Sequence, residues 1–129
     1  EPASVMDGRV VEFDDRYGLA KVDVPGTTLL VAGDIGPLDA VRRLRITASD
    51  VSLSRAAATD TTILNAVPAC IQSVEPSGET QMTVRLRLGE DGLGAPLISR
   101  VSRLSWDRLG FQVGETVIAQ IKAVALAKS

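Results

Sequence analysis

Short runs that alternate polar and apolar residues, broken at close intervals by turn-forming residues, limit this chain to an all-β fold. Residues 19–24 (Leu-Ala-Lys-Val-Asp-Val) and 82–88 (Met-Thr-Val-Arg-Leu-Arg-Leu) show the alternation most clearly. A period of two puts every second side chain on one face, so each run is a half-buried strand and not a helix. Further runs rich in β-branched and aliphatic residues lie at 9–13, 27–32, 43–47, 70–74, 96–102 and 116–126. Between them sit turn signals such as Pro25-Gly26, Gly33-Asp34 and Glu75-Pro76-Ser77-Gly78, where glycine or proline supplies the reversal. Strands this short and this closely spaced predict a barrel or a sandwich. A single helical turn is expected at 105–110, with Ser105 as its cap and Gly110 as its end.

The chain of 129 residues, 45% of them apolar, can enclose one core or two small ones. Internal similarity favours two related units. Arg45-Ile46-Thr47-Ala48 matches Gln120-Ile121-Lys122-Ala123 late in each half, and Gly8-Arg9-Val10 opens the first half much as Ala69-Cys70-Ile71 opens the second. The expected units are residues 4–58 and 62–129, each a small five-stranded barrel of the OB type, joined by a short connector at 54–60.

Composition excludes several classes of function. A net charge of −2 and a pI near 5.1 provide no global attraction for nucleic acid or an acidic membrane surface, so any anion site must be local. The four aromatics, Phe13, Tyr17, Trp106 and Phe111, are too scattered for the stacking platform on which OB barrels bind single strands. There is no histidine, no phosphate-binding glycine loop and no nucleophile elbow, so no enzymatic activity is expected of the chain itself. The lone Cys70, among Val67, Pro68, Ala69 and Ile71, reads as a small hydrophobe. With no apolar run long enough to span a bilayer and no signal segment, the chain reads as soluble and intracellular. Opening at Glu1 without Met, it reads as a piece of something longer.

Four segments, in order, carry a resemblance to a known family: 45–53 (Arg-Ile-Thr-Ala-Ser-Asp-Val-Ser-Leu), 62–68 (Thr-Ile-Leu-Asn-Ala-Val-Pro), 99–105 (Ser-Arg-Val-Ser-Arg-Leu-Ser) and 119–126 (Ala-Gln-Ile-Lys-Ala-Val-Ala-Leu). Together they resemble the molybdate-binding Mop/TOBE modules found at the C-terminus of molybdate importer ATPases. The resemblance implies paired OB-like barrels, a homodimer, and a tetrahedral molybdate or tungstate ion held between units. It further implies a nucleotide-binding domain upstream, membrane subunits as partners, and a cytoplasmic place at the inner face of the membrane. Matched position by position, the family's hydroxyl ligands fall on Ser102 and Ser105, its cation on Lys122, the opening Ser/Thr of its second unit on Thr62, and its first-strand Asn on Asn65. Donors of this kind suit a dianion with four acceptor oxygens and no proton to give, and a helix start adds free N–H groups. The chain departs from the pattern at Leu64, where some members carry Arg, and at Thr47, the first-half counterpart of Lys122. A site of this type is therefore expected in the second unit, completed by a partner chain.

Each of these residues also has a plainer reading. Lys122 alternates with Ile121 and Ala123 as a solvent-facing lysine would, Ser105 is a helix cap, and Ser102 is a surface hydroxyl. Trp106 reads as an apolar anchor for its turn, Asp50 and Asn65 as holders of turns, and Arg42, Arg43 and Arg45 as the wet face of a strand. Leu64 leaves open a second function, that of a dimerisation module without a ligand.

Overall fold

The computed structural model describes residues 1–128. The described residues form ten strands, one α-helix and a 3-10 turn at Ala48–Asp50: β1 (Ala3–Asp14), β2 (Leu19–Val24), β3 (Thr27–Ala32), β4 (Val41–Thr47), β5 (Val51–Ser54), β6 (Asn65–Ser77), β7 (Gln81–Leu88), β8 (Pro96–Ser102), α1 (Arg103–Leu109), β9 (Thr116–Ile121) and β10 (Ala125–Leu126). The expected all-β class with one helical turn is borne out, and the strands form two five-stranded sheets. One sheet has the order β10-β4-β1-β2-β3 and the other β5-β9-β6-β7-β8.

The alternation in sequence becomes alternation of burial. Along β1, Ser4, Met6, Gly8 and Val10 point inward while Val5, Asp7 and Arg9 face water. Leu29, Leu44 and Ile46 from one sheet join Ile71, Leu86, Leu97 and Ile121 from the other in one hydrophobic cluster. At roughly 2 kcal/mol for each fully buried large aliphatic side chain, this shared core is the main favourable term in the fold.

The two sheets exchange strands. β5, from the first half of the chain, pairs with β9 of the second sheet, and β10, at the far end of the chain, pairs with β4 of the first. A cut at 58–62 would thus leave each sheet one strand short. The reason lies in the crossovers after Thr47 and Ile121, where the chain passes between sheets instead of turning back. Residues 116–126, read in sequence as one strand, are split there into β9 and β10, with Lys122 in the break.

The sheets also interlock at a tight joint. The Ala95 N–H donates to the Pro25 carbonyl at 2.8 Å, and Gly94 packs so closely that a Cβ would strike the carbonyl oxygens of Leu88 and Pro25.

Candidate functional site

Lys122 follows β9 directly and its N–H donates to the Asp50 carbonyl at 2.8 Å, which fixes the start of its side chain at the crossover. Thr62 and Asn65 reach the same place from the entrance to β6. All three line a concavity of about 240 Å³. The opposite wall comes from the first sheet, from Leu19 on β2 and from Leu30 and Ala32 on β3, with Leu64, Ile121, Ala123 and Val124 completing it. Among the described residues no carboxylate lines this pocket; its polar side chains are one ammonium, one hydroxyl and one amide.

The amide is already engaged. Asn65 is buried, its Oδ1 accepts from the Leu30 N–H at 2.8 Å, and its Nδ2 donates to the Leu30 carbonyl at 2.8 Å. Expected from sequence either as a ligand or as the holder of a local turn, Asn65 instead ties the start of β6 to the edge strand of the other sheet. Lys122 is solvent-exposed, and none of the ion pairs among the described residues involves it.

Ser102 and Ser105 do not line this pocket. They stand at the start of α1, where Ser102, and not Ser105, is the N-cap: its Oγ accepts the Ser105 N–H at 3.0 Å and its hydroxyl donates to Ser105 Oγ at 2.8 Å. The cap falls one turn earlier than expected because Ser102 ends β8 in an extended conformation, with φ −67° and ψ 147°, as an N-cap requires. The Arg103 N–H is also spent, on the Thr80 carbonyl at 2.8 Å, so the helix start does not present the open row of amides expected of it. Gly110 ends α1 in the left-handed conformation, as expected, and Trp106 packs against Phe111 with ring centroids 5.9 Å apart. The five sequence-selected residues therefore form two groups within one chain: Thr62, Asn65 and Lys122 around a pocket, and Ser102 with Ser105 at a helix cap.

The cationic strand β4 is less available than its sequence implies. Arg43 pairs with Asp7 at 3.4 Å, Arg45 donates to Thr47 Oγ1 at 3.1 Å, and Arg42 donates to the Ile35 carbonyl at 2.6 Å. A wider cleft of about 640 Å³ runs past Arg43, Arg45 and Lys128. Cys70, read as a small hydrophobe, is only partly buried; its Sγ lies 3.5 Å from the Gly114 carbonyl.

Residues 61–127, more than half of the chain, match the TOBE domain family. The chain belongs to that family. Its TOBE sequence is 54% identical over 125 residues to the molybdenum import ATP-binding protein ModC of Rhodobacter capsulatus, and 46% identical over 122 residues to ModC of Rhodopseudomonas palustris strain BisB18. These alignments cover 97% and 95% of this chain but only 34% and 32% of the relatives, so the chain spans about a third of their length. The TOBE fold also matches a crystal structure of the cytoplasmic molybdate-binding protein ModG with molybdate bound, at a TM-score of 0.77. That match covers 97% of this chain and 95% of the other at 21% identity, and it speaks to fold alone. Among the described residues, no helix is long and apolar enough to cross a membrane.

Sequence reasoning missed the first-sheet wall of Leu19, Leu30 and Ala32. Those residues carry no chemical signature; only the folding of β3 against Asn65 brings them to Lys122.

Proposed function

We propose that this TOBE chain is the cytoplasmic oxyanion-binding segment of a molybdate importer's ATP-binding protein, and that molybdate or tungstate sits in the Lys122 pocket. The observation that carries the reading is the wall of that pocket, which offers an ammonium and a hydroxyl and no carboxylate. A tetrahedral dianion needs donors only, and a charge-assisted bond to Lys122 is the strongest one available there. The ModC names of the relatives, and the molybdate bound to a protein of the same fold, support it. Since Ser102 and Ser105 stand apart from the pocket in one chain, the reading has a second copy bring their hydroxyls to it in a homodimer. Anion binding that favours one dimer geometry then reports the cytoplasmic supply to the nucleotide-binding domain and membrane subunits, damping uptake.

The dimerisation-only reading is favoured by one residue. Leu64, 59% exposed at the mouth of the pocket, stands where a second cation would strengthen the site. Isothermal titration with molybdate, with sulfate and phosphate as controls and light scattering for mass, separates the two. Selective molybdate binding to a dimer is the expected result. A folded dimer that releases no heat and gains no thermal stability leaves a dimerisation module. Transport and ATP hydrolysis by the intact importer that do not respond to saturating molybdate would remove the feedback step alone.

A further inference from the structure

The two sheets repeat each other's registers. Asn65 lies opposite Ile121 as Ser4 lies opposite Ile46, and the bulge between Val10 and Glu12 in β1 recurs between Ile71 and Ser73 in β6. The charges on the wet face do not repeat. In the first sheet Lys21 opposes Glu12 and pairs with it at 2.9 Å, and Arg9 opposes Asp23 and pairs with it at 3.8 Å. The matching positions of the second sheet are Arg85 opposite Ser73 and Arg87 opposite Cys70. Neither carboxylate has a counterpart, so a face that is neutral across β1 and β2 carries two cations without opposing charge across β6 and β7.

Both guanidinium-bearing residues line a concavity of about 380 Å³. Its other polar side chains are those of Ser4, Gln72 and Ser73, and among the described residues no carboxylate lines it. The bulge in β6 accounts for two of them, because its extra residue leaves Gln72 and Ser73 both exposed. Ser4 is buried; its Oγ accepts from the Ile98 N–H at 2.8 Å, and its hydroxyl donates to no described residue. Asn65, in the matching place, spends its own donor on the Leu30 carbonyl, so the Ser4 proton is the one left for a ligand. Competing acceptors are weak. Arg85 meets Glu75 at 3.3 Å with both side chains more than half exposed, and an exposed pair of that kind adds little. Arg87 gives one N–H to the Gly94 carbonyl at 3.1 Å, and the rest of its fork is unused by the described residues. Val5, Pro96, Leu97 and Ile98 supply an apolar wall.

We propose that this concavity binds a small organic phosphate, with the phosphoryl group between Arg85 and Arg87 and the apolar body against Val5, Pro96 and Ile98. Two guanidinium forks match the oxygens and the charge of a phosphate monoester. Side chains two apart on one strand face start about 7 Å from each other, close enough to converge on one group. The volume lies in the range of small-molecule sites, and a bare tetrahedral ion would leave the apolar wall wet. No residue is shared with the Lys122 pocket, so the two sites can be tested separately. Calorimetric titration of the whole chain with phenyl phosphate is expected to show about one site per chain. Lys122→Ala should leave that binding unchanged. Ser73→Glu gives β6 the carboxylate that Glu12 provides on β1, and should weaken it roughly ten- to a hundredfold without lowering the melting temperature. Arg85→Gln combined with Arg87→Gln should do the same, and inorganic phosphate should bind the wild type at least about tenfold more weakly than phenyl phosphate. Absence of phenyl phosphate binding, or binding indifferent to Ser73→Glu, overturns the site even if the double glutamine variant does not fold. Equal binding of inorganic phosphate overturns the organic ligand, and loss of binding in Lys122→Ala alone would put the phosphate in the other pocket and overturn this one.

Discussion

Two residues of the Lys122 pocket act in separable ways. The exposed Lys122 side chain contributes charge and little to the fold. Lys122→Ala is therefore expected to weaken molybdate binding by about 1.5–3 kcal/mol, roughly ten- to a hundredfold, with the melting temperature nearly unchanged. Titration and a thermal scan on the same sample check both halves; an unchanged affinity would move the site toward the Arg43, Arg45 and Lys128 cleft. Asn65 is the reverse case, a buried amide that satisfies both main-chain groups of Leu30. Asn65→Ala strands those groups and is expected to cost about 2–3 kcal/mol in urea unfolding. Asn65→Ser should recover part of the loss, because Ser4 performs the equivalent task with one hydroxyl.

At the scale of elements, the connector between units is held by one side chain. Arg55 donates to Glu115 Oε2 at 2.8 Å and to the Leu109 carbonyl at 2.7 Å, and its guanidinium lies 4.6 Å from the centre of the Phe111 ring. It thereby pins the chain after β5 to the end of α1 and the start of β9. The hydrogen bond from Arg55, and then the Gln112 N–H, hold the Glu115 carboxyl below its ordinary value. A carboxyl lowered in the folded state contributes stability above its unfolded value, and that contribution is lost as pH falls through the lowered folded one. The share of stability from this pair, read as the urea midpoint, should therefore persist through the ordinary range of glutamate titration and be lost only at more acid pH. Glu115→Gln should lower that midpoint already at neutral pH. The cap of α1 is a second local support, and Ser102→Ala is expected to cost about 1 kcal/mol, read as a fall in melting temperature.

For the whole molecule, the exchange of β5 and β10 makes the two units interdependent. Residues 62–129 expressed alone lack β5, so β9 becomes an open edge and Ser99, whose hydroxyl donates to the Val51 carbonyl at 2.6 Å, loses its partner. That fragment is expected to be aggregated or molten by near-ultraviolet circular dichroism and to order when residues 1–61 are added. A cooperative, native-like melt of the fragment alone would show that each unit folds independently. The same interdependence lets the first unit, which lacks the lysine, provide a wall for the second unit's pocket.

Much of this was legible in the chain itself. Alternation at 19–24 and 82–88 determines strands because a period of two has only one way to bury an apolar face. The repeat around Ile46 and Ile121 and the likeness to Mop/TOBE modules identify two OB-like units. The family match covers residues 61–127, and Thr62, Asn65 and Lys122 do meet at one pocket. What the tertiary structure alone decided is which strand completes which sheet, that the Asn65 amide is spent on Leu30, and that Ser102 and not Ser105 caps α1. The physical reason is common to all three. Local alternation and turn chemistry act over a few residues and are written in order along the chain, whereas pairing across a crossover and satisfaction of a buried polar group depend on partners tens of residues away, which only the closed core brings into reach.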